Sequence, residues 1–441
     1  MKTSITRSAI PIAALLAIAA AFSAPAVADG GTISYTPIDL GAPLGGTASE
    51  SSSLTPNGWV AGAASLPGNG TEHAVLWRFG FPTDLGTLGG PNSAVAWPNH
   101  SVAGQVVGIA ETADLNPLNE NWSCGFAVFA TIDNHVCLGF VWQDGKMTGL
   151  PTLGGVNGFA TSVNDFGQIV GWAEDTVHDS TCAPPQILQF EAVVWSPLTH
   201  TPRALPPFPG DLDGAATSIN DRGQVVGITG TCDQAVGRFT GRHAVMWDDG
   251  RVIDMGSLGG IAWNTPMDVN QEGDATGFSD LAGDSDGSPN FHAFFWKRGQ
   301  KMVDIGLLAP GDFLSEGLGI NDFDQVVGIS IPSSHAFIWQ NGTLTDLNSM
   351  LAAGTTLVLV LANEIDDAGD ITGIAFDPNT GDTPAYVATP NRAPDGSIIS
   401  FSVRTTNSTS SPKTMLSMSI FKQLQLRLPY GRFMTAPGKV P

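Results

Sequence analysis

The stretch Ala215–Ile228, AATSINDRGQVVGI, contains two short apolar segments that flank a tight turn. β-Branched residues on both sides of an Asn-Asp-x-Gly sequence predict a β-hairpin. Asn220 and Asp221 suit the start of a type I turn, and Gly223 can adopt the left-handed conformation that closes it. The stretch therefore predicts two antiparallel strands joined by this turn.

The same unit recurs along the chain, giving seven copies. The other copies are SVNDFGQIVG (162–171), GINDFDQVVG (319–328), EIDDAGDITG (364–373), and the weaker DVNQEGDATG (268–277), SLTPNGWVAG (53–62) and a ragged copy ending in VAGQVVG (102–108). The glycines that end the copies are 46, 63, 56, 50, 51 and 45 residues apart. A period near 50 with short strands is typical of propeller blades. Asp324 replaces the turn glycine in one copy, and Asp tolerates the left-handed conformation.

Each period also contains a second hairpin. His243–Trp247 and Arg251–Gly256 flank Asp-Asp-Gly, and Asp-Gly or Asn-Gly between apolar segments is a strong hairpin signal. Four strands in each of seven periods predict an all-β, seven-bladed β-propeller. Residues 33–41 resemble a fourth strand and Ala385–Pro390 a third strand. The N-terminal strand is therefore expected to complete the last blade and close the ring, which hides exposed strand edges.

The predicted domains are a signal peptide at 1–28, a seven-repeat propeller at 29–390 and a basic, Ser/Thr-rich C-terminal tail at 391–441. Residues 1–28 combine a charged start, an apolar run Ile10–Phe22 and a small-residue cleavage site at Ala26-Val27-Ala28. The alternative is an N-terminal membrane anchor, but the run is short for a spanning helix. Export to the extracellular space or cell surface is expected, with the periplasm as an alternative.

The charge distribution is uneven. The chain carries −22, of which the tail contributes seven basic residues and one acid, so the first 390 residues carry −28. Such an acidic body repels nucleic acid. The tail is interpreted as poorly ordered or loosely packed on the acidic propeller, with a surface or partner anchor as the alternative.

Four periods carry long inserts between their second and third strands. The inserts are 110–138, 173–190, 229–242 and 278–291. They share one face with the Leu-Gly-Gly connections, and long loops on a rigid scaffold often bind ligands. Trp122, Trp172, Glu174 and Asp175 are the candidate ligand-binding residues, with the two tryptophans able to stack on a sugar. The alternative is that the inserts are tolerated surface decoration.

All four cysteines lie in the inserts, at Cys124, Cys137, Cys182 and Cys232. An even count in an exported chain predicts disulfides, with three possible connectivities. The preferred pairs are Cys124–Cys137 and Cys182–Cys232, the second joining neighbouring blades. A zinc site is the weaker alternative because no Cys-x-x-Cys pair is present.

Recurring histidines, tryptophans and aspartates are interpreted as structural. The histidines (73, 243, 292 and 335) are expected to hydrogen-bond a turn or a neighbouring strand, and the tryptophans four residues later to pack between blades. The aspartates of the fourth strands (39, 84, 254, 304 and 346) are expected to bond turns. Only the loop Asp280–Gly287 resembles a calcium site, through Asp280, Asp284 and Asp286, although its first spacing fails. No other cofactor is expected.

Together, His-Ala-[Val/Phe]-x-Trp, Asp/Asn-Gly, Asp-Leu-Gly-Thr-Leu-Gly-Gly and Ile-Asn-Asp-x-Gly-Gln-Val-Val-Gly resemble the extracellular HAF-type repeat proteins of bacteria over residues 33–390. The resemblance implies a secreted or surface repeat protein and assigns no catalytic residue. The predicted function is a monomeric binding module for an extracellular protein or glycan, without a transmembrane segment after signal removal. One alternative is an enzyme, a glycan hydrolase or lyase that pairs Glu174 or Asp175 with Asp179. The other is a purely structural surface component.

Overall fold

The structure is a computed structural model of the chain. It describes residues 32–55, 57–120, 129, 133–182, 184–232, 241–283 and 287–392, and the backbone of 400–401. These residues form seven four-stranded antiparallel sheets and one two-stranded sheet. The predicted seven-bladed propeller is therefore confirmed.

The strands of blades 1 to 4 follow one another in sequence. Blade 1 contains Ser49–Leu54, Trp59–Ser65, Glu72–Arg78 and Phe81–Asp84. Blade 2 contains Gly89–Ala94, Val106–Leu115, His135–Gln143 and Lys146–Gly149. Blade 3 contains Gly158–Val163, Ile169–His178, Leu188–Trp195 and Pro202–Ala204. Blade 4 contains Asp213–Ile219, Val225–Gly230, His243–Asp248 and Arg251–Gly256.

Blades 5 and 6 continue the same order, and blade 7 takes its fourth strand from the N-terminal part of the chain. Blade 5 contains Thr265–Val269, Ala275–Asp280, Phe291–Trp296 and Val303–Gly306. Blade 6 contains Leu314–Ile320, Val326–Ile331, His335–Gln340 and Thr343–Asp346, followed by the 3₁₀ helix Leu347–Met350. Blade 7 contains Val358–Ile365, Ile371–Phe376, Ala385–Pro390 and Tyr35–Gly41. The short strands Thr32–Ile33 and Ser400–Phe401 pair separately.

Ring closure uses the strand predicted for it. Tyr35–Gly41 pairs antiparallel with Ala385–Pro390, with Tyr35 opposite Pro390 and Ile38 opposite Val387. The seam between blades 7 and 1 is also bonded near the axis, where Asn363 Nδ2 donates to the Ser51 carbonyl over 2.8 Å. The N-terminal strand thus supplies the pairing that the last blade lacks.

The repeated turns adopt the predicted conformation. Gly223 has φ +75°, and Asp324, which replaces glycine in blade 6, has φ +58°. In blade 4, Asn220 Oδ1 accepts hydrogen bonds from the backbone N–H groups of Arg222 and Gln224. The Asn-Asp-x-Gly sequence therefore closes its own turn through the asparagine side chain.

The same asparagines also link neighbouring blades from blade 3 to blade 7, which the sequence analysis did not predict. Asn164 Nδ2 donates to the Asn220 carbonyl over 3.0 Å, and Asn220 Nδ2 donates to the Asn270 carbonyl over 2.8 Å. Asn270 continues to Asn321, and Asn321 to Asp366, each over 3.0 Å. These four bonds form an asparagine ladder across blades 3 to 7.

Apolar packing follows the same modular plan. Among the described residues, seven apolar clusters each join two neighbouring blades, and an eighth contains residues of all seven blades. The recurring tryptophans lie in the clusters between blades, as predicted. Trp195 and Trp247 also donate from Nε1 to the carbonyls of Pro151 and Pro206, in the connections that lead into their blades, over 2.8 and 2.7 Å. The recurring tryptophan positions therefore join neighbouring blades.

Within the described residues, no helix has the length and apolar character needed to cross a membrane.

Candidate functional site

Two hairpins project from the insert-bearing face. The second strands of blades 2 and 3, Val106–Leu115 and Ile169–His178, are 10 residues long, whereas the equivalent Val225–Gly230 has 6. Pairing with the third strands is irregular over the extra residues and resumes at their ends, where Leu115 lies opposite His135 and His178 opposite Leu188. Leu115 is 63% exposed and Val177 is 50% exposed. Adjacent blades thus present two exposed apolar side chains near the ends of these long strands.

The inserts of neighbouring blades are fastened to each other. In blade 2, the Glu120 carboxylate accepts from the backbone N–H groups of Ile187 and Leu188 in blade 3, over 2.8 and 2.6 Å. Cys182 of blade 3 forms a disulfide with Cys232 of blade 4, which confirms that predicted pair. The Cys232 backbone N–H also donates to Thr181 Oγ1. The loops of blades 2, 3 and 4 therefore form one braced surface, here called the insert crown.

The remaining cysteines are only partly described. Cys137 is fully buried and disulfide-bonded. Cys124, its predicted partner, lies outside the described residues.

The second glycine of each Leu-Gly-Gly connection lies against a buried acid of the second strand. Glu111, Glu174 and Asp280 occupy the same place in the second strands of blades 2, 3 and 5 and are fully buried. A Cβ on the second glycine of each connection would lie 2.6, 2.5 and 2.3 Å from the Cβ of these acids. Only glycine fits where the connection crosses so closely over the second strand.

Glu174, a predicted ligand-binding residue, is engaged in holding the blade 3 connection. Its carboxylate accepts from the Asn157 backbone N–H over 2.7 Å, from Asn157 Nδ2 over 3.1 Å and from Gln186 Nε2 over 3.1 Å. Burial, with a smaller effect of the Glu120 charge, raises the pKa of Glu174 to about 7. A carboxylate that is buried and bonded in this way supports the loop rather than facing a ligand.

The other predicted ligand residues are spread apart. Trp172 is 1% exposed and stacks on Phe159 at a centroid distance of 4.5 Å, so its faces are covered by protein. The prediction that Trp172 stacks on a sugar at the surface is therefore wrong, because its side chain belongs to the central apolar cluster. Asp175 is half-buried and accepts from the Val177 backbone N–H over 2.7 Å. Trp122 lies outside the described residues.

Of the three predicted calcium ligands, Asp280 lies within the described part of the chain. Asp280 is fully buried, and its Oδ1 accepts from the Asn290 backbone N–H over 3.0 Å. Asp284 and Asp286 lie outside the described residues.

A carboxyl pair lies within the insert crown where the sequence predicted a different one. Asp179 and Asp213 of blade 4 influence each other's ionisation, and one oxygen of each carboxyl is buried without a hydrogen-bond partner among the described residues. Burial raises the pKa of Asp213 to about 8. Burial also acts to raise the pKa of Asp179, but hydrogen bonding, first from the Thr181 backbone N–H, holds that pKa below its usual value.

The recurring histidines each bind an aspartate. His73 contacts Asp84 and His292 contacts Asp304, with Nδ1–Oδ1 distances of 3.0 and 2.9 Å. The aspartates also accept from the backbone N–H of the following turn, as Gly86 and Gly306 show over 2.8 and 2.7 Å. The same pairing joins His335 to Asp346. In blade 4, His243 instead contacts Asp211, which precedes the first strand, while the fourth-strand Asp254 accepts from the Gly256 backbone N–H over 2.8 Å. In blades 1, 5 and 6, the predicted structural roles of histidine and aspartate therefore meet in one contact.

A second polar cluster lies where the first strands meet near the turns. His100 Nε2 lies 3.0 Å from Asp268 Oδ1 and 3.2 Å from Ser218 Oγ. Burial lowers the pKa of His100, but the Asp268 charge and hydrogen bond raise it above its ordinary value. Glu364 is 3% exposed, and burial, then the Asp268 charge, raises its pKa well above the usual range. Since Ser218 and Asp268 share one ring nitrogen, the three residues do not form a nucleophile–base–acid relay.

The sequence offered only a faint signal for this cluster. In most copies of the repeat, the residue two positions before the first residue of the turn is serine or glycine. In blades 5 and 7 this residue is an acid, Asp268 or Glu364. His100 lies in the ragged second repeat, where no periodic pattern predicts its direction.

No protein-family model matches the chain, and no curated protein matches it. Among solved structures, the chain is similar to virginiamycin B lyase from Staphylococcus aureus, at 9% identity, 80% coverage of this chain, 98% of that chain and a TM-score of 0.44. It is also similar to oligogalacturonate lyase from Vibrio parahaemolyticus, at 9% identity, 82% and 98% coverage and a TM-score of 0.44. A gluconolactonase from Xanthomonas campestris shows 13% identity, 58% and 82% coverage and a TM-score of 0.32. At these scores the similarities carry no argument about activity.

Proposed function

We propose that this chain is an exported binding protein of the HAF-repeat type, whose insert crown contacts a basic, partly apolar segment of another protein. The observation that supports this proposal is the bracing of loops across blade boundaries. Glu120 and the Cys182–Cys232 disulfide hold in place parts of the inserts that lie outside the strands of the four-stranded sheets. Loops held in one conformation lose less entropy on binding.

The chemistry of the crown supports a basic partner. Leu115 and Val177 provide the apolar contacts, and Asp114, Asp133 and Asp175 lie in the same two inserts. Asp114 and Asp133 are exposed, and Asp175 is half-buried. Because residues 1–390 carry −28, this edge attracts cations, and long-range attraction speeds association.

The disulfide and the signal-like N-terminal sequence support the proposal that the chain is exported. Disulfides such as Cys182–Cys232 persist in oxidising compartments. The predicted signal peptide, 1–28, lies outside the described residues.

The test is selection of phage-displayed random peptides on the intact mature protein. We expect enriched peptides to combine Lys or Arg with apolar residues, and their affinity to fall as salt rises because exposed charges are screened. The double variant Leu115→Lys, Val177→Lys should weaken binding of those peptides by at least about tenfold, since it removes apolar contacts and adds like charge.

Phe166→Lys is the matched control. Phe166 is 67% exposed but lies in a turn at the opposite end of its blade. Equal losses in the double variant and the control, or no enrichment of basic peptides, would contradict the proposal. The second outcome would favour a structural surface protein.

A further inference from the structure

One position recurs on the inner strands, next to a recurring irregularity. In six blades the pairing of the first and second strands shifts by one residue just before the turn. The residue after each bulge is Ser53, Ser162, Ser218, Asp268, Gly319 or Glu364. The first strands of blades 3, 4, 5, 6, 7 and 1 contact one another in that order, so these residues lie around the axis. Among these six residues, only Asp268 of blade 5 and Glu364 of blade 7 are acidic.

Blade 6 separates these two acids with a glycine. A Cβ at Gly319 would lie 2.7 Å from the Glu364 Cα and 2.8 Å from the Asn363 carbonyl oxygen. The missing side chain lets blade 7 approach closely, and a carboxylate oxygen of Glu364 lies within 4.8 Å of one of Asp268. Glycine here is a condition for the acids to converge.

Blade 2 adds the third member. The chain after Gly89–Ala94 departs from the repeat, and the His100 backbone N–H donates to the Val163 carbonyl over 3.0 Å. The imidazole Nε2 then lies 3.0 Å from Asp268 Oδ1. One ligand-type atom from each of His100, Asp268 and Glu364 lies within 4.8 Å of the other two.

The cluster contains one unused buried acceptor. Glu364 Oε1 accepts from the Ile365 backbone N–H over 3.1 Å, while Oε2 is buried without a hydrogen-bond partner in the part of the chain that the structure describes. Buried polar oxygens normally have a partner. By contrast, Asp268 is firmly oriented, because it accepts from Ser218 Oγ over 2.8 Å and from the Val269 and Ile320 backbone N–H groups over 2.8 and 3.0 Å.

We propose that His100, Asp268 and Glu364 bind one divalent transition-metal ion at the turn end of the propeller axis. Two carboxylates and a neutral imidazole balance the charge of a dication, which a buried site requires. The 3.0 Å between Nε2 and Oδ1 matches neighbouring ligands on a metal with bonds of about 2.1 Å. Imidazole beside two carboxylates favours Zn²⁺ or Mn²⁺ over Ca²⁺ and Mg²⁺.

The ion would connect three blades that are not neighbours. His100 belongs to blade 2, Asp268 to blade 5 and Glu364 to blade 7, so a shared ion ties opposite sides of the ring. The hydrogen bonds to Asp268 act as an outer layer that orients one ligand. The His100 side chain is 19% exposed, so one ligand of the proposed site is in contact with solvent.

The experiment uses the untagged mature protein, treated with chelator and then dialysed against Zn²⁺ or Mn²⁺. We expect about one tightly bound ion per chain by elemental analysis, and a thermal midpoint that rises with metal. Glu364→Gln should lower metal affinity at least about tenfold. This variant keeps the shape of the side chain, so its midpoint without metal should equal or exceed that of the parent, which distinguishes loss of metal from failure to fold.

His292→Gln is the control for surface binding, since His292 forms a comparable His–Asp contact away from the axis. It should retain the ion and the midpoint shift. Less than roughly 0.1 ion per chain in the parent, or equal binding by the Glu364→Gln variant, would overturn the proposal.

Discussion

Replacing Asn220 with alanine removes the best-defined link between two blades. The side chain is fully buried and makes four hydrogen bonds: two donated, to the Asn270 carbonyl and Gln224 Oε1, and two accepted, from the Arg222 and Gln224 backbone N–H groups. Each bond contributes about 1 kcal/mol net, and buried groups left unpaired add to the loss. We therefore expect the variant to lose about 4 kcal/mol of unfolding free energy.

The assay is urea unfolding followed by tryptophan fluorescence, since Trp247 packs between the affected blade and its neighbour. Asn290→Ala is the matched control, because Asn290 is exposed and its bond to Asp280 comes from the backbone. Its unfolding free energy should change by less than about 0.5 kcal/mol. If Asn220→Ala cost no more than Asn290→Ala, the asparagine ladder would not contribute to stability and the reasoning would fail.

Two further predictions concern the insert crown. Asp213 has its pKa raised to about 8 in the folded protein, so it binds more protons folded than unfolded, and its contribution to stability is lost as pH rises from about 4 through 8. Asp213→Asn mimics the protonated acid and should flatten this fall by roughly 1–3 kcal/mol in unfolding measurements across that range; an unchanged slope would contradict the assignment. Cys182→Ser with Cys232→Ser opens a crosslink that spans 50 residues, and chain entropy predicts a loss of about 4 kcal/mol. Without reductant, the double variant should therefore have a lower thermal midpoint than the parent, and equal midpoints would contradict this prediction.

The repeat allowed the fold to be predicted because each of its signals is local. Gly223 and Asp324 mark turns by their own backbone preference, and Tyr35–Gly41 matches a fourth strand wherever it occurs. The preferred disulfide Cys182–Cys232 followed from equivalent positions in neighbouring repeats. Features carried by one repeat unit were therefore visible in the sequence.

Contacts between units were not visible. Asn220 was identified as a turn residue, but its second bond reaches a carbonyl that is 50 residues away. Trp172 was expected at the surface because it borders an insert, whereas its ring stacks on Phe159 within the central cluster. His100 escaped notice since its direction depends on a segment that interrupts the repeat.

Ring closure has a consequence for the order of events during biosynthesis. Tyr35–Gly41 is among the first strands to leave the ribosome, yet its partner Ala385–Pro390 is made about 350 residues later. Until then, the early strand lacks its only partner in the sheets, and an unpaired strand invites pairing between chains. Truncation before residue 385 would thus leave a ring whose two ends remain open to other molecules.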